Sequence, residues 1–570
     1  MRLSSTLLAV LCAGAVSVAC SQGPRQLHVI TTNDVHGAWF DSTYVGGRQV
    51  PSLMAVNTYV DSIRGAVGKD NVLLLDAGDC LQGDNAAYYF NYVDTLSAHV
   101  YPRLVAYMGY DAVVVGNHDV ETGHKVYDKV TRELEANGIP FLAGNALKAD
   151  GDPYWPEYKV FKRAGMKVLV LGYTNANMAA WLDESLWSGM KFVSLVPFVQ
   201  QRVDAVKAKV KPDVTIVAVH SGVGAGDGTM LENQGLDLFH SLRGVDLVVT
   251  SHDHRPRVES TDSIALVNTG SKARNYSHTV IYKENGVKHI EPSVVAVDAA
   301  KADVAMHEAF AEDYAKVKAF TLQKVGAISA DMSSMEAFSG RCFYMDFIHY
   351  VQLHTTGADI SFAAPLTFKG FIPKGELIFN DMFTVYPYEN TLNVLKLKGS
   401  EIRNYLEYSY DLWITNPLKS GHIFNMSNHE DARYTQKRWS FNHASFNFDS
   451  ASGINYTVDV TKPYGKRIRI SSLADGSAFD EKAFYTVAMT SYRAAGGGDL
   501  LFKGAGLSRG ELSEREVARY PEIRDIIYEY FKAEGVVGPE SISGLGDWQF
   551  VPRNIASSFL KQDNELMFGE

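Results

Sequence analysis

The chain has 570 residues, 46% hydrophobic and 21% charged, with a formal net charge of −11. That length exceeds what one compact core holds, so two domains are expected, and the composition is that of a globular protein, neither disordered nor fibrous. The acidic balance argues against a general nucleic-acid-binding surface, and the chain shows no repeat of about 20–50 residues and no low-complexity tract.

At the N-terminus, MRLSSTLLAVLCAGAVSVACS carries one Arg, then an apolar stretch to Ala19, then Cys20. Residues 1–20 read as a targeting segment, too short and too near the start to span a membrane in the mature protein. The small residues before Cys20 match a bacterial lipoprotein processing site, with Cys20 as the lipidated residue, although Ser17 stands where such sites usually carry Leu. Export to the periplasm or outer membrane with a lipid anchor is expected; simple cleavage to a soluble exported protein is the alternative. Cys12 lies in the leader, which leaves Cys80 and Cys342. Export permits a disulfide, but these two fall in different expected domains, so buried free thiols are expected.

Residues 26–300 alternate apolar runs with helical patterns, the signature of a mostly parallel or mixed sheet. The runs are LHVITTNDVHG, VLLLDAGD, AVVVGNHD, MKVLVLGYTN, VTIVAVHSG and VDLVVTSHDH. All but MKVLVLGYTN end in metal-capable side chains: Asp34 and His36, Asp79, Asn117 and His118, His220, and His252 and His254. One histidine after a strand is usually an ordinary surface or core residue; this many at successive strand ends are not independent accidents. In open α/β sheets the functional crevice lies outside the carboxyl ends of the strands, so one edge gathers them all. The set suits two divalent ions sharing a carboxylate, with Asp79 as the shared group; Zn, Mn, Fe and Co all tolerate these N and O donors. Asn117 offers a hard oxygen ligand, and its neighbour His118 is then free to act on substrate as acid or charge stabiliser. Such a histidine needs an orienting partner, either Glu121 or Asp119.

Residues 301–345 contain a connecting helix over 301–324, with Val304, Phe310, Tyr314, Val317 and Phe320 on one stripe, and a linker. Residues 346–555 form an α+β domain. There FYMDFIHYVQLHTTGADISFAAPL reads as a helix leading into a strand, and LNVLKLKGSEIRNYLEYSYDLW as a strand, a Gly turn and a helix. INYTVDVTKP and KRIRISSL alternate as strands. FYTVAMTSYRAAGGGDLLF is a strand ending in a glycine loop.

TTNDVHG, DAGD, GNHD, HSG and SHDH, in this order, resemble the metallophosphoesterase domain of the bacterial periplasmic 5'-nucleotidase family, which includes 2',3'-cyclic-nucleotide 2'-phosphodiesterase/3'-nucleotidases. ADISFAAP, YPYENTL, KLKGSEIRNYLE and SYRAAGGGD resemble that family's C-terminal domain, so the likeness covers about residues 27–530. It implies a four-layer αββα-type sandwich followed by an α+β nucleotide-binding domain. It implies that Asp34, His36, Asp79 and His254 hold one metal, that Asp79, Asn117, His220 and His252 hold the other, and that His118 is catalytic. It further implies a base clamped between Phe446 and Tyr492, with Phe448 as the alternative to Phe446, and ribose contacts from Asp499. Three departures stand out. Glu121 occupies the place where 5'-nucleotidases carry an Asp that pairs with the catalytic His. SFAAPLTFKGF replaces a Gly-Gly-x-Arg phosphate-binding segment, leaving Lys369 as the nearest cation, and Lys is no bidentate substitute for Arg. SFAAP, VYPYENTL, SYRA and His254 resemble the cyclic-phosphodiesterase branch more than the 5'-nucleotidase branch. The expectation is an exported two-metal hydrolase of nucleotide phosphate esters, with a small-molecule nucleotide and no nucleic-acid polymer as partner. The rivals are a thiosulfate-ester hydrolase on the same scaffold and a non-catalytic surface lipoprotein.

Overall fold

The computed structural model describes residues 25–430 and 437–569. The expected targeting segment and Cys20 lie outside the described residues. No helix among the described residues is long and apolar enough to cross a membrane.

The first half contains strands β1 (Gln26–Thr32), β2 (Val72–Asp76), β3 (Ala112–Val114), β4 (Phe141–Leu142), β5 (Tyr158–Arg163), β6 (Met166–Tyr173), β7 (Val214–Val219), β8 (Leu247–Val249), β9 (Arg257–Ser260), β10 (Ala265–Asn268), β11 (Asn275–Glu284) and β12 (Val287–Ala296). They form two six-stranded sheets, ordered β12-β11-β1-β2-β3-β4 and β9-β10-β8-β7-β6-β5. In each, four successive strands run parallel: β1 to β4 in the first, and β6, β7, β8 and β10 in the second. Antiparallel strands close both edges of the second sheet and one edge of the first, whose other edge is the parallel β4.

Strand alternation explains the layering. Leu27, Val29, Leu73 and Leu75 of one sheet meet Val168, Val170, Ile216 and Leu247 of the other in a shared core. The opposite face of the first sheet, through Ile30, Leu74 and Val113, packs against the helices Leu53–Val67, Val100–Met108 and His124–Ala136. The opposite face of the second sheet, through Leu169, Leu171, Val217 and Val248, packs against Leu195–Val210 and Gly235–Ser241. The result is an αββα sandwich.

A second, α+β unit follows. Its main sheet runs in the order Ser450–Ser452, Ile360–Ala363, Phe484–Thr490, Thr391–Lys398 and Glu516–Glu522. One face packs on the helix Gly399–Trp413, the other on Phe343–Thr356 and Ile523–Glu534. A helix at Arg553–Phe568 continues past residue 555 and joins the same core through Ala556 and Met567. The helix Gly399–Trp413 begins at Gly399 itself, where a turn is expected from the sequence. A Cβ at Gly399 would lie 2.4 Å from the Asp480 carbonyl oxygen, so glycine answers a close approach of backbone.

The connecting segment departs from the single helix expected over 301–324. It divides into Val304–Ala309 and Ala311–Thr321, with Phe310 outside helical geometry. The expected stripe also splits. Val304 is 71% exposed, Phe310 and Val317 enter the first core, and Phe320 enters the second against Phe379. A helix that serves two cores breaks where its buried residues change direction.

Polar contacts join the halves. Tyr88 Oη donates to Asp525 Oδ1 at 2.6 Å, and Asn85 Nδ2 to Asn380 Oδ1 at 3.0 Å. Arg524, fully buried, pairs with Glu389 at 2.9 Å and lies 5.0 Å from the Tyr88 ring.

Candidate metal centre and substrate cleft

The expected strand-end residues converge at one sandwich edge. Asp34, His36 and His254 form one group of facing donor atoms; Asp79, His220 and His252 form another. His36 Nε2 and His254 Nε2 face each other at 2.9 Å. His220 Nε2 and His252 Nδ1 both aim at Asn117 Oδ1, at 3.0 and 2.9 Å. Asp79 reaches toward the other group, its Oδ2 3.0 Å from His220 Nε2 and 4.0 Å from His36 Nε2. That oxygen is buried and accepts no well-aligned hydrogen bond despite the short approach to His220. Lone pairs crowded together, with a buried carboxylate oxygen left without an aligned donor, make a set that cations complete. The donor set fits divalent ions.

Backbone geometry supports the same conclusion. Asp34 (φ 48°), His36 (φ 49°), Asp79 (φ 60°), His252 (φ 67°) and His254 (φ 58°) all hold left-handed conformations. Non-glycine residues rarely adopt these, and such strain concentrates at functional sites.

A further layer of contacts orients the donors. His220 Nδ1 lies 2.8 Å from the Ala77 carbonyl oxygen and His36 Nδ1 3.2 Å from that of Gln82, which leaves each Nε2 for the centre. Asn33 Nδ2 donates to Asp34 Oδ2 at 2.6 Å. Asp119 accepts backbone N–H bonds from Asp79, Cys80, Leu81 and Gly116 at 2.8–3.0 Å. It is therefore the anchor of the Asp79 loop and not the partner of His118. Glu121 is that partner, with Oε2 2.5 Å from His118 Nδ1. Burial depresses the basicity of His118, but the carboxylates of Asp79 and Glu121 outweigh it and raise its pKa to about 10. Cys80 and Cys342 are buried free thiols; Cys80 donates its S–H to Asp76 Oδ1 at 3.1 Å, away from the donor cluster.

A cavity of about 510 Å³ runs from Asp79, Asn117 and His118 to Phe446 and Tyr492, so both halves line it. The two rings meet edge to face, with centroids 6.4 Å apart and planes at 81°. Phe446 is 38% exposed. Phe448 is fully buried and stacks 5.7 Å from Trp413, which makes it core and leaves Phe446 as the cleft ring. Asp499 does not line the cavity; its carboxylate pairs with Lys503 at 2.8 Å. Lys369 is exposed and also absent from the lining.

Two features escape a sequence reading. Trp181 stacks on His252 at 5.1 Å and 19° and lines the cleft. Its run, NANMAAW, carries no ligand signal, and only the fold brings it to the site. Glu389, in YPYENTL, is buried beside Arg524, with its carboxyl pushed up to about 6 by burial, which Arg524 opposes and Glu121 reinforces. The likeness marked that segment without assigning the residue a role.

Known proteins resemble both halves of the chain. Residues 27–256 match the calcineurin-like phosphoesterase model, and residues 321–504 match the 5'-nucleotidase C-terminal domain model. The chain is 23% identical to a 2',3'-cyclic-nucleotide 2'-phosphodiesterase/3'-nucleotidase of Salmonella typhimurium, over 87% of this chain and 85% of that protein. It is also 23% identical to a trifunctional nucleotide phosphoesterase, YfkN, of Bacillus subtilis, over 83% of this chain but only 36% of that longer protein. Among solved structures, a Staphylococcus aureus protein assigned as a 5'-nucleotidase superposes with a TM-score of 0.78 at 20% identity, covering 92% of this chain and 99% of that one.

Proposed function

We propose that this chain, which belongs to the proteins joining a calcineurin-like phosphoesterase domain to a 5'-nucleotidase C-terminal domain, uses two divalent ions to hydrolyse nucleotide phosphate esters to nucleoside and phosphate. One observation carries the reading: two groups of convergent donors, one of them holding Asp79, stand at the head of a cleft that reaches two aromatic rings of the second domain.

Asp34, His36, Asp79 and His254 would hold one ion, and Asp79, Asn117, His220 and His252 the other. When bound, such ions neutralise phosphoryl charge and acidify a water molecule. The remaining work belongs to the chain. Glu121 engages His118 Nδ1 and leaves Nε2 to face the ester. His118, oriented by Glu121, donates from Nε2 to a phosphoryl oxygen or to the departing oxygen. Trp181 fixes the His252 ring plane. Phe446 and Tyr492 bind the base, once their rings turn from edge-to-face to admit it, and so place the phosphate at the donors.

The departures at SFAAP, VYPYENTL, SYRA and His254 favour 2',3'-cyclic-nucleotide and 3'-nucleotide substrates, alone or beside 5'-nucleotides. The chain is proposed to be exported and held at the membrane by lipid on Cys20, acting on extracellular nucleotides. The test is a substrate panel of 5'-AMP, 3'-AMP, 2',3'-cyclic AMP and a UDP-sugar, with metal content measured on the same sample. Phosphate or nucleoside release from at least one, with about two ions per chain, is expected. A fully metallated protein inert on all four overturns the proposal.

A further inference from the structure

Phe446 and Tyr492 come from separate segments. Phe446 sits in the short turn Ser445–Asn447, and Tyr492 in the turn of helix Ser491–Ala494 that follows the strand Phe484–Thr490. One buried side chain ties them together. Arg493 is 3% exposed. Its Nε and Nη2 donate to Asp449 Oδ2 and Oδ1 at 3.0 and 2.7 Å, a bidentate grip. Nη2 also donates to the Phe446 carbonyl oxygen at 2.9 Å, and Nη1 donates to Asn447 Oδ1 at 3.1 Å and the Gly497 carbonyl oxygen at 2.5 Å. A guanidinium has five N–H donors, and these contacts use every one. The guanidinium carbon also lies 5.4 Å from the Tyr492 ring centroid.

The surroundings are built to this arginine. Asp449 is buried, accepts from the Tyr405 hydroxyl, and offers its backbone oxygen to Ser409 Oγ at 2.8 Å. The glycine loop bends around the guanidinium. A Cβ at Gly498 (φ +73°) would fall 2.5 Å from Arg493 Nη1 and 2.3 Å from Asn447 Oδ1. Burying an ion pair stabilises a fold little compared with an apolar replacement, whereas a fully satisfied buried network confers one defined geometry. Here that geometry is the placement of two rings from segments about 45 residues apart, bridged to Phe446 by its own carbonyl.

We infer that Arg493, gripped by Asp449, is the positioning residue of the Phe446–Tyr492 slot and sets its affinity for the base of a nucleotide substrate. The inference rests on the nucleotide reading above. Lysine at 493 keeps the charge but loses the planar fork. Arg493→Lys should raise KM for 3'-AMP roughly tenfold or more, as expected for lost base stacking, and raise the inhibition constant of free adenosine in parallel. Its kinetics on p-nitrophenyl phosphate, which has no base, should stay within about twofold on the same reasoning. Asn447→Ala, which removes one of the five acceptors, should act in the same direction but more weakly, and serves if Arg493→Lys does not fold. Combining Arg493→Lys with Phe446→Ala should cost less on 3'-AMP than the sum of the two single losses, because both act through the same slot. Equal losses on both substrates, an unchanged adenosine constant, or additivity with Phe446→Ala overturns the inference. If Phe446→Ala alone fails to discriminate the two substrates, the slot reading itself falls and takes the inference with it; if Phe446→Ala discriminates and Arg493→Lys does not, only the inference falls.

Discussion

Asp79 carries the heaviest demand of any single side chain. Burial opposes its charge, yet the imidazoles of His220, His118 and His36 hold its carboxyl well below the usual range. Its Oδ2 lies 3.0 Å from His220 Nε2 of its own group and 4.0 Å from His36 Nε2 of the other, the placement a bridging ligand requires. Asp79→Asn is expected to lose at least one ion and to slow turnover roughly a hundredfold or more, read by metal analysis and steady-state kinetics. Two retained ions at a near-normal rate would remove the bridging role. His118 differs in kind, because its ring engages Glu121 and stands outside both donor groups. His118→Ala should keep the metals and lower the rate by about 10²–10⁴-fold, and Glu121→Gln should lower it less. Metal loss in step with activity in His118→Ala would make that histidine a ligand.

At the scale of one element, the five-residue helix Asn117–Glu121 does several jobs at once. Its first residue faces His220 and His252, its second faces the cleft, and its third anchors the neighbouring loop through three backbone bonds and caps its own helix through a fourth, from Gly116. His118 and Glu121, three residues apart, share one helical face. The helix docks so closely that the residue before it must be glycine: a Cβ on Gly116 would lie 2.1 Å from Asp79 Oδ1 and 2.4 Å from its backbone nitrogen. Gly116→Ala therefore displaces the Asp79 loop, at an overpacking cost of about 1–3 kcal/mol. The expected result is reduced metal stoichiometry with the fold intact by circular dichroism. Full metal loading would mean that the loop shifts without disturbing its carboxylate.

Across the whole molecule, each half buries a neutral histidine. His99 sits against Asn91 in the first core, and His349 bridges Ser361 Oγ and Ser450 Oγ at 2.9 and 3.1 Å in the second. Burial lowers both to about 3, well under the 6.5 of a free imidazole. The folded state therefore binds neither proton above pH 3, while the unfolded state takes up both as pH falls through 6.5. Stability from this source is complete above pH 6.5 and declines below it, by about 1.4 kcal/mol per pH unit for each histidine. His349→Gln, which can still bond to both serines without titrating, should flatten the fall of Tm between pH 6.5 and 4. Parallel Tm profiles for the two proteins would rule out this contribution.

The strand-end ligands were legible in the sequence because their signal is local. A short apolar run followed by Asp, Asn or His carries both the strand and the donor, and the order of the runs carries the family likeness. The sequence alone also sufficed for the alternation of sheet and helix and for the pairing of His118 with a carboxylate nearby. The choice between Glu121 and Asp119 needed the third dimension, since only the docked Asp79 loop shows which carboxylate is already occupied by backbone donors. Phe446 and Phe448, two residues apart, are likewise equivalent on paper; Trp413, distant in sequence, draws Phe448 into the core and leaves Phe446 to the cleft. The break at Phe310 depends on two cores pulling one amphipathic stripe apart. Trp181 on His252 and Arg493 on Asp449 are likewise contacts between segments far apart along the chain. Periodicity and spacing encode what a residue meets within a turn or a strand, whereas the partners that orient a donor or a ring come from wherever packing brings the chain back.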